Sequence, residues 1–233
     1  LAKVRANKTK GSGNIMRKDP YTALLFDFDG TLLNTNDLII ETFLHILGEK
    51  FPGKYDRESV LPFLGPSLQE TCNAIDPALA TSLMEAYRSW NIQMHDKMAV
   101  PFDGVVDTLH ELKEQGYKLA IVSTKRRVMI DRGLKLMKCE NLFDTIVGVD
   151  DVKNPKPDPE PINLALERLG IEKENALMIG DNFHDIIGGQ KAGVDTAAVA
   201  WSIKGEAFLA TFLPTYMIHH ISELLPIAKG QLI

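Results

Sequence analysis

Five short apolar runs, separated by segments of helical period, constrain what this chain can fold into more than any other feature of it. The runs are Ala23-Leu24-Leu25-Phe26, Leu119-Ala120-Ile121-Val122, Thr145-Ile146-Val147-Gly148-Val149, Ala176-Leu177-Met178-Ile179 and Thr196-Ala197-Ala198-Val199-Ala200. Near-continuous apolar stretches this short suit strands covered on both faces, because a half-exposed strand would alternate apolar with polar residues. The intervening segments end legibly: Val105, Val106, Leu109 and Leu112 precede Gly116, Ile162, Leu166 and Leu169 precede Gly170, and Ile186 to Ala192 precede Gly193. A glycine just past a periodic apolar stripe reads as a helix stop. Strand and helix in alternation predict an α/β fold, a three-layer, doubly wound parallel sheet with right-handed crossovers.

One interval breaks this rhythm. About ninety residues separate the first run from the second, and they read mostly as helix: Leu38 to Leu47, a middle helix after Gly65-Pro66-Ser67, and Leu79 to Met98. A helical insert after the first strand would sit over the carboxyl edge of the sheet as a cap. The expected division is a cap over residues 37–101 and a core over 19–36 and 102–233, with a weak strand at Tyr216-Met217-Ile218 and a short helix after Ser222.

At 233 residues, 45% hydrophobic, the chain can bury a sizeable core. Two cysteines, Cys72 and Cys139, provide no disulfide framework, which fits a reducing, cytoplasmic setting. No apolar stretch approaches a membrane span, and the basic N-terminus has no apolar segment behind it, so neither membrane insertion nor secretion is expected. Residues 1–18 carry six cations (Lys3, Arg5, Lys8, Lys10, Arg17, Lys18) and no acid, and read as a tail outside the fold. Taking those 6 from the 26 basic residues leaves 20 against 31 acids, a net of −11. A body that acidic is a poor general nucleic-acid binder.

In an open α/β sheet the ligand crevice lies outside the carboxyl ends of the strands, so the residues just after each run are the candidates. They are Asp27 and Asp29, Ser123 and Thr124, Asp150 and Asp151, and Asp181 with Asp185 a helical turn later. Unit charges about 4 Å apart repel by roughly 4 kcal/mol at an effective dielectric near 20, so gathered carboxylates need a cation or a raised pKa. Oxygen-only ligands point to a hard ion, and Mg²⁺ is favoured because it uses few carboxylates together with waters and substrate phosphate. Lys156, set between Pro155 and Pro157, has a restricted backbone and could fix an ammonium beside a phosphoryl group. Paired acids also serve as helix caps, which accounts well for Asp37 or Asp158 but not for acids ending three strands at one edge.

Four segments in order, Asp27-Phe28-Asp29-Gly30-Thr31, Ile121-Val122-Ser123-Thr124-Lys125, Lys156-Pro157-Asp158-Pro159 and Gly180-Asp181 through Asp185, resemble the motifs of the haloacid dehalogenase superfamily of phosphatases, in the subgroup with a helical cap after the first motif. The resemblance implies a Rossmann-like core and a set of roles. Asp27 would be the nucleophile that forms an aspartyl-phosphate, and Asp29 the general acid and then base, its backbone carbonyl joining Asp27, Asp181 and Asp185 around Mg²⁺. Asp185 would orient metal-bound waters more than ligate directly. Ser123 and Lys156 would stabilise the transferring phosphoryl group, with Gly30, Thr31, Thr124 and Lys125 binding substrate.

Members with this cap commonly read Asp-Gly-Thr-Leu-x-Asp-Ser, whereas here Asn34 and Thr35 occupy the last two positions. That departure, with Phe51-Pro52-Gly53-Lys54-Tyr55, Val60 through Pro66, the Asn182-Phe183-His184 stretch and Ala200 through Gly205, is similar to the superfamily's inorganic pyrophosphatases. The substrate implied is inorganic diphosphate, with phosphoglycolate or a broader range of small phosphates as the alternative. Diphosphatase activity would also imply an indirect link to dephosphorylation of the phosphocarrier protein HPr. A cap serving so charged a molecule should offer cations rather than an apolar pocket, the candidates being Lys50, Lys54, Arg57, Arg88, Lys97 and, foremost, Lys204 of the core. His184 reads as exposed and without a role, Phe28, Phe183 and Trp201 as packing residues, and Gly188-Gly189 as a site of close helix packing. A non-enzymatic phospho-acceptor module of the receiver type shares clustered acids with Thr and Lys, but is about half this length and has no cap.

Overall fold

The apolar runs form the strands of one sheet. The computed structural model describes residues 20–231, so the basic tail lies outside the described residues. In chain order the elements are β1 (Ala23–Phe26), β2 (Leu33–Asn34), α1 (Asn36–Lys50), α2 (Arg57–Val60), α3 (Leu68–Ile75), α4 (Ala80–Met98), β3 (Val100–Pro101), α5 (Val105–Glu114), β4 (Lys118–Val122), α6 (Arg127–Met137), β5 (Thr145–Val147), α7 (Glu160–Leu169), β6 (Ala176–Gly180), α8 (Phe183–Ala192), β7 (Asp195–Val199), α9 (Glu206–Ala210), β8 (Tyr216–Ile218) and α10 (Leu224–Ala228). Six strands pair in the order β5-β4-β1-β6-β7-β8, every pairing parallel. The chain winds outward from β1 to β5, then returns to the other side of β1 at β6. The switch point therefore lies beside β1, where a crevice opens at the carboxyl edge.

Side-chain alternation divides the buried strand residues between two helical layers. Leu24, Phe26, Leu119, Ile121, Leu177 and Ile179 face α5, α6 and α10, while Ala23, Leu25, Ala120, Val122 and Met178 face α7. Helices α7 and α8 stop at Gly170 (φ 64°) and Gly193 (φ 80°), both left-handed, as the glycine punctuation predicts. The Gly188-Gly189 pair does permit close packing: a Cβ on Gly189 would stand 2.4 Å from Thr196 Cγ2. No helix among the described residues is long and apolar enough to cross a membrane.

Helices α1 to α4 make the cap, which has its own apolar core around Ile40, Phe43, Ile46, Leu47, Val60, Cys72 and Leu83. Its two connections to the sheet domain lie side by side as an antiparallel ribbon, Leu33 opposite Pro101 and Asn34 opposite Val100. The ribbon therefore sits directly after the Asp27–Thr31 turn. Near this hinge Arg132 of α6 grips Asp96 of α4 with two hydrogen bonds, Nε to Oδ1 at 2.8 Å and Nη2 to Oδ2 at 2.9 Å.

Gly133 in α6 shows how tightly the first strand's turn is held. A Cβ there would meet the Phe28 ring at 2.6 Å, and Phe28 is wholly buried with no room to retreat. Alanine is favoured over glycine by about 1 kcal/mol inside a helix, whereas overpacking costs roughly 1–3 kcal/mol. The clash should win: Gly133→Ala is expected to lower unfolding free energy by up to about 2 kcal/mol in urea denaturation. A more stable variant would contradict this packing.

Candidate active site

The site begins where the β1 ladder ends. Asp27 N–H still donates to Ile179 O of β6 (2.8 Å), and the chain then turns sharply, with Leu32 and Leu33 N–H groups both donating to Phe28 O (3.0 Å each). Gly30 closes the turn at φ 78°, directly beneath the Asp181 carboxylate, which a Cβ would overlap at 2.3 Å. Glycine is needed here both for the left-handed backbone and for the space. Asp181, at the end of β6, is thereby seated against the turn that follows β1.

Asp27, Asp181 and Asp185 form a buried trio in which one carboxylate oxygen from each lies within 4.8 Å of the other two. Lys156 is buried behind them. Its Nζ donates to Asp185 Oδ1 and to Val122 O, each at 2.6 Å, and stands 3.1 Å from Asp27 Oδ1. That last approach is an ion contact without hydrogen-bond alignment, and Asp27 Oδ1 is left buried with no aligned donor. Burial pushes the Asp27 carboxyl up to about 6 despite the opposing pull of Lys156, with the Asp185 charge adding to the rise. Burial, then the charges of Asp27 and Asp185, raise Asp181 well above the ordinary carboxylate range. Burial alone would depress Lys156, but Asp185 and Asp27 outweigh it and keep the ammonium charged.

The trio suits a hard divalent cation. It offers only oxygen donors, one of them lacking an aligned partner, and two of its acids are held above their ordinary range by burial first and by each other's charge second. Asp185 is already committed: Oδ1 accepts from Lys156 and Oδ2 from Asn182 N–H (3.0 Å), an arrangement that also caps α8. Asp27 and Asp181 are thus the carboxylates with capacity to spare.

The Asp29 carboxylate stands apart from this trio. Its Oδ1 accepts from Thr35 Oγ1 and from Lys125 Nζ, both at 2.7 Å, and it lines the cavity under the cap. Of the expected metal ligands it can contribute only a backbone carbonyl. Thr35, which the sequence marks merely as a departure from Asp-Ser, supplies a hydroxyl that orients Asp29. Ser123 is buried after β4, where its Oγ accepts from Lys125 N–H (3.3 Å) and it lines the same cavity.

Other expected roles change on sight of the geometry. Gly30 N–H is used by Leu33 O, and Thr31 Oγ1 lies 3.5 Å from Asp181 Oδ1, so both build the turn under the acids and neither lines the cavity. Asp151 does not join the acid edge: it accepts from Gly148 N–H and pairs with Arg168. His184 is buried rather than exposed, with Nδ1 2.9 Å from Asn182 Oδ1, and burial beside Lys156 lowers it to about 4. It is a neutral ring that orients Asn182.

The cap closes over these groups through its own backbone. Thr124 Oγ1 donates to Gly65 O (3.0 Å), Asn182 Nδ2 to Leu64 O (3.1 Å) and Lys204 Nζ to Leu61 O (2.6 Å). Three core loops thus hold one cap loop, Leu61 to Gly65. Gly65 (φ 114°) lies so close that a Cβ would meet Asn182 Nδ2 at 2.3 Å. Lys204 is accordingly a tie to the cap and lies outside the cavity lining. Sequence reasoning overlooked Asn182 and Ser202, whose Oγ donates to Asp181 O (2.6 Å), because neither carries charge.

Beneath the cap is a cavity of about 440 Å³ reaching down to Asp27, Asp29 and Asp181. The expected ring of cap cations does not line it. Arg88 alone among them is present, while Arg57 pairs with Asp37 (2.6 Å) and Lys54 lies over the rings of Phe51 and Tyr55. Cations at the wall come instead from the core, Lys125 and Arg126.

Residues 24–199 match the sequence profile of the haloacid dehalogenase-like hydrolases. A Pyrophosphatase PpaX of Bacillus cereus (strain AH820) is 50% identical over 208 residues, covering 89% of this chain and 96% of that protein. Among solved structures, a haloacid dehalogenase-like hydrolase from Bacteroides fragilis aligns with a TM-score of 0.82 at 28% identity, over 88% of this chain and 99% of that one. A hydrolase of the same family from Streptococcus pneumoniae aligns with a TM-score of 0.78 at 27% identity, over 89% and 98%.

Breaking a buried ion pair from one side leaves an uncompensated charge and costs about 3–5 kcal/mol. Lys156→Met should therefore lower stability by about 3–5 kcal/mol, and adding Asp185→Asn should recover part of that loss. Urea denaturation of the three proteins in EDTA checks this; a Lys156→Met protein as stable as the parent would refute the pairing.

Proposed function

The chain belongs to the haloacid dehalogenase-like hydrolases, and from that premise we propose that it hydrolyses inorganic diphosphate to two phosphates, with Asp27 as nucleophile and Mg²⁺ as cofactor. The observation that carries the substrate is the 50% identity to a Pyrophosphatase PpaX over 208 residues, a span too long to leave out the cap. Asp27 and Asp181 would hold the metal, helped by the backbone carbonyl of Asp29, and Asp185 would orient its waters. The bound cation would offset the acids' mutual repulsion and the charge of the phosphoryl oxygens.

Asp27 is the carboxylate suited to attack. It lies at the cavity floor, and Lys156, 3.1 Å from its buried Oδ1, opposes its protonation. In the first step an Asp27 oxygen bonds to phosphorus as the bond to the leaving phosphate breaks, giving an aspartyl-phosphate. Both donors to Asp29 converge on Oδ1, which leaves Oδ2 to protonate the departing oxygen. In the second step Asp29 takes a proton from the attacking water, and phosphate is released from Asp27. Ser123 and Lys125 would bind the phosphoryl oxygens in transit, and closure of the cap would exclude competing water.

Asp27→Asn should reduce kcat at least about 10³-fold while leaving the circular dichroism spectrum unchanged, and EDTA should abolish activity that Mg²⁺ restores. Parallel kcat/KM values for diphosphate, phosphoglycolate and sugar phosphates test the substrate. Diphosphate is expected to lead by at least about tenfold, a margin of roughly 1.4 kcal/mol, and a lead by phosphoglycolate would overturn the assignment.

A further inference from the structure

None of Ala200 through Gly205, the loop after β7, lines the cavity, yet this loop touches the cap at two places and its hinge at a third. Ile203 packs against the cap's own apolar cluster, and among the described residues it is the one partly buried apolar side chain from outside the cap to do so. Lys204 Nζ donates to Leu61 O (2.6 Å). The Trp201 ring lies 5.9 Å from that of Phe102, which directly follows the hinge ribbon at Pro101. The loop itself is braced to the core. Ser202 N–H donates to Val199 O (3.2 Å) and Gly205 N–H to Ser202 O (3.0 Å), while Ser202 Oγ accepts from Lys204 N–H (3.0 Å) and donates to Asp181 O (2.6 Å). A string of hydrogen bonds thus runs from the backbone of a buried acid to the cap, through Asp181, Ser202, Lys204 and Leu61.

Thr124 and Asn182 each give the cap one hydrogen bond from an uncharged donor. The loop after β7 gives it a charge-assisted bond, roughly twice as strong as a neutral one, and apolar burial besides. We propose that this loop is a clasp: Ile203 and Lys204 are positioning residues that hold the cap over the acids from outside the substrate cavity, and their release opens the site to substrate and product. Because they touch the cap and not the cavity, they set how often the site is closed and make no contact with what occupies it.

Hydrogen–deuterium exchange of the substrate-free protein tests this in Ile203→Ala and Lys204→Met. Amides of Leu61–Gly65 and Trp201–Gly205, the two sides of the contact, should exchange about tenfold faster in both variants. Those of β1, β4 and β6 should keep the parent rate, which separates cap opening from loss of the fold. Lys204→Arg, which keeps a charged donor, should stay within about threefold of the parent. A kinetic arm rests on the phosphohydrolase reading: attack needs the closed cap, so kcat/KM for diphosphate should fall in each variant by a factor no greater than its own rise in exchange. Exchange at the parent rate in either variant overturns the clasp. So does a fall in diphosphate turnover confined to Lys204→Met, which would make that ammonium a substrate contact. A parent protein inert towards diphosphate overturns the diphosphatase reading and leaves the clasp to be decided by exchange alone.

Discussion

The floor of the site depends on one buried ammonium. Lys156 reaches Val122 O, Asp185 and Asp27, and so ties the end of β4 and the turn after β1 to the first turn of α8. Without it the trio of acids would be a cluster of like charges in a medium that solvates them poorly. With it Asp27 and Asp181 still stand above the ordinary carboxylate range, through burial first and the charges of neighbouring acids second. A divalent cation would bring the remaining positive charge, and a phosphoryl group would bring the anion that this excess attracts.

The cap completes the site by a different kind of bond. Thr124, Asn182 and Lys204 each donate to a backbone carbonyl of the Leu61–Gly65 loop, so closure rests on main-chain atoms that substitution of cap side chains does not remove. Cap side chains remain available to shape the cavity, and here they line it with a mixture of apolar groups such as Phe43 and Ile92 and polar ones such as Gln69, Arg88 and Asn91. Thr124 belongs to the loop that carries Ser123, and Asn182 follows Asp181 and is hydrogen-bonded to His184, so the position of the cap is coupled to the groups around the buried acids.

Much of this was legible in the sequence because it depends on period and order. Apolar runs gave the strands, glycines the helix stops, and acids after the runs the carboxyl edge. Less legible was anything decided by side-chain direction. Asp150 and Asp151 also follow a strand, yet Asp151 turns away to cap its own turn, where Gly148 N–H and Arg168 both donate to it. Lys204 was singled out for its charge, but in the fold the cap carbonyl of Leu61 is its partner. Thr35, Asn182 and Ser202 act through neutral hydrogen bonds whose partners are distant in sequence or unremarkable in it. The expectation of a cationic cap counted charges on helices without knowing which faces they occupy.

The central claim is that the buried acids are tolerated at a cost in stability that a divalent cation relieves. The measurement that bears on it most directly is the unfolding free energy of the parent protein and of Asp181→Asn, each in EDTA and in Mg²⁺. The parent should gain about 2.7 kcal/mol at a hundredfold excess of Mg²⁺ over its dissociation constant, while Asp181→Asn should be the more stable protein in EDTA and gain little from the ion. A parent indifferent to Mg²⁺, together with an Asp181→Asn protein weakened in EDTA, would contradict the account.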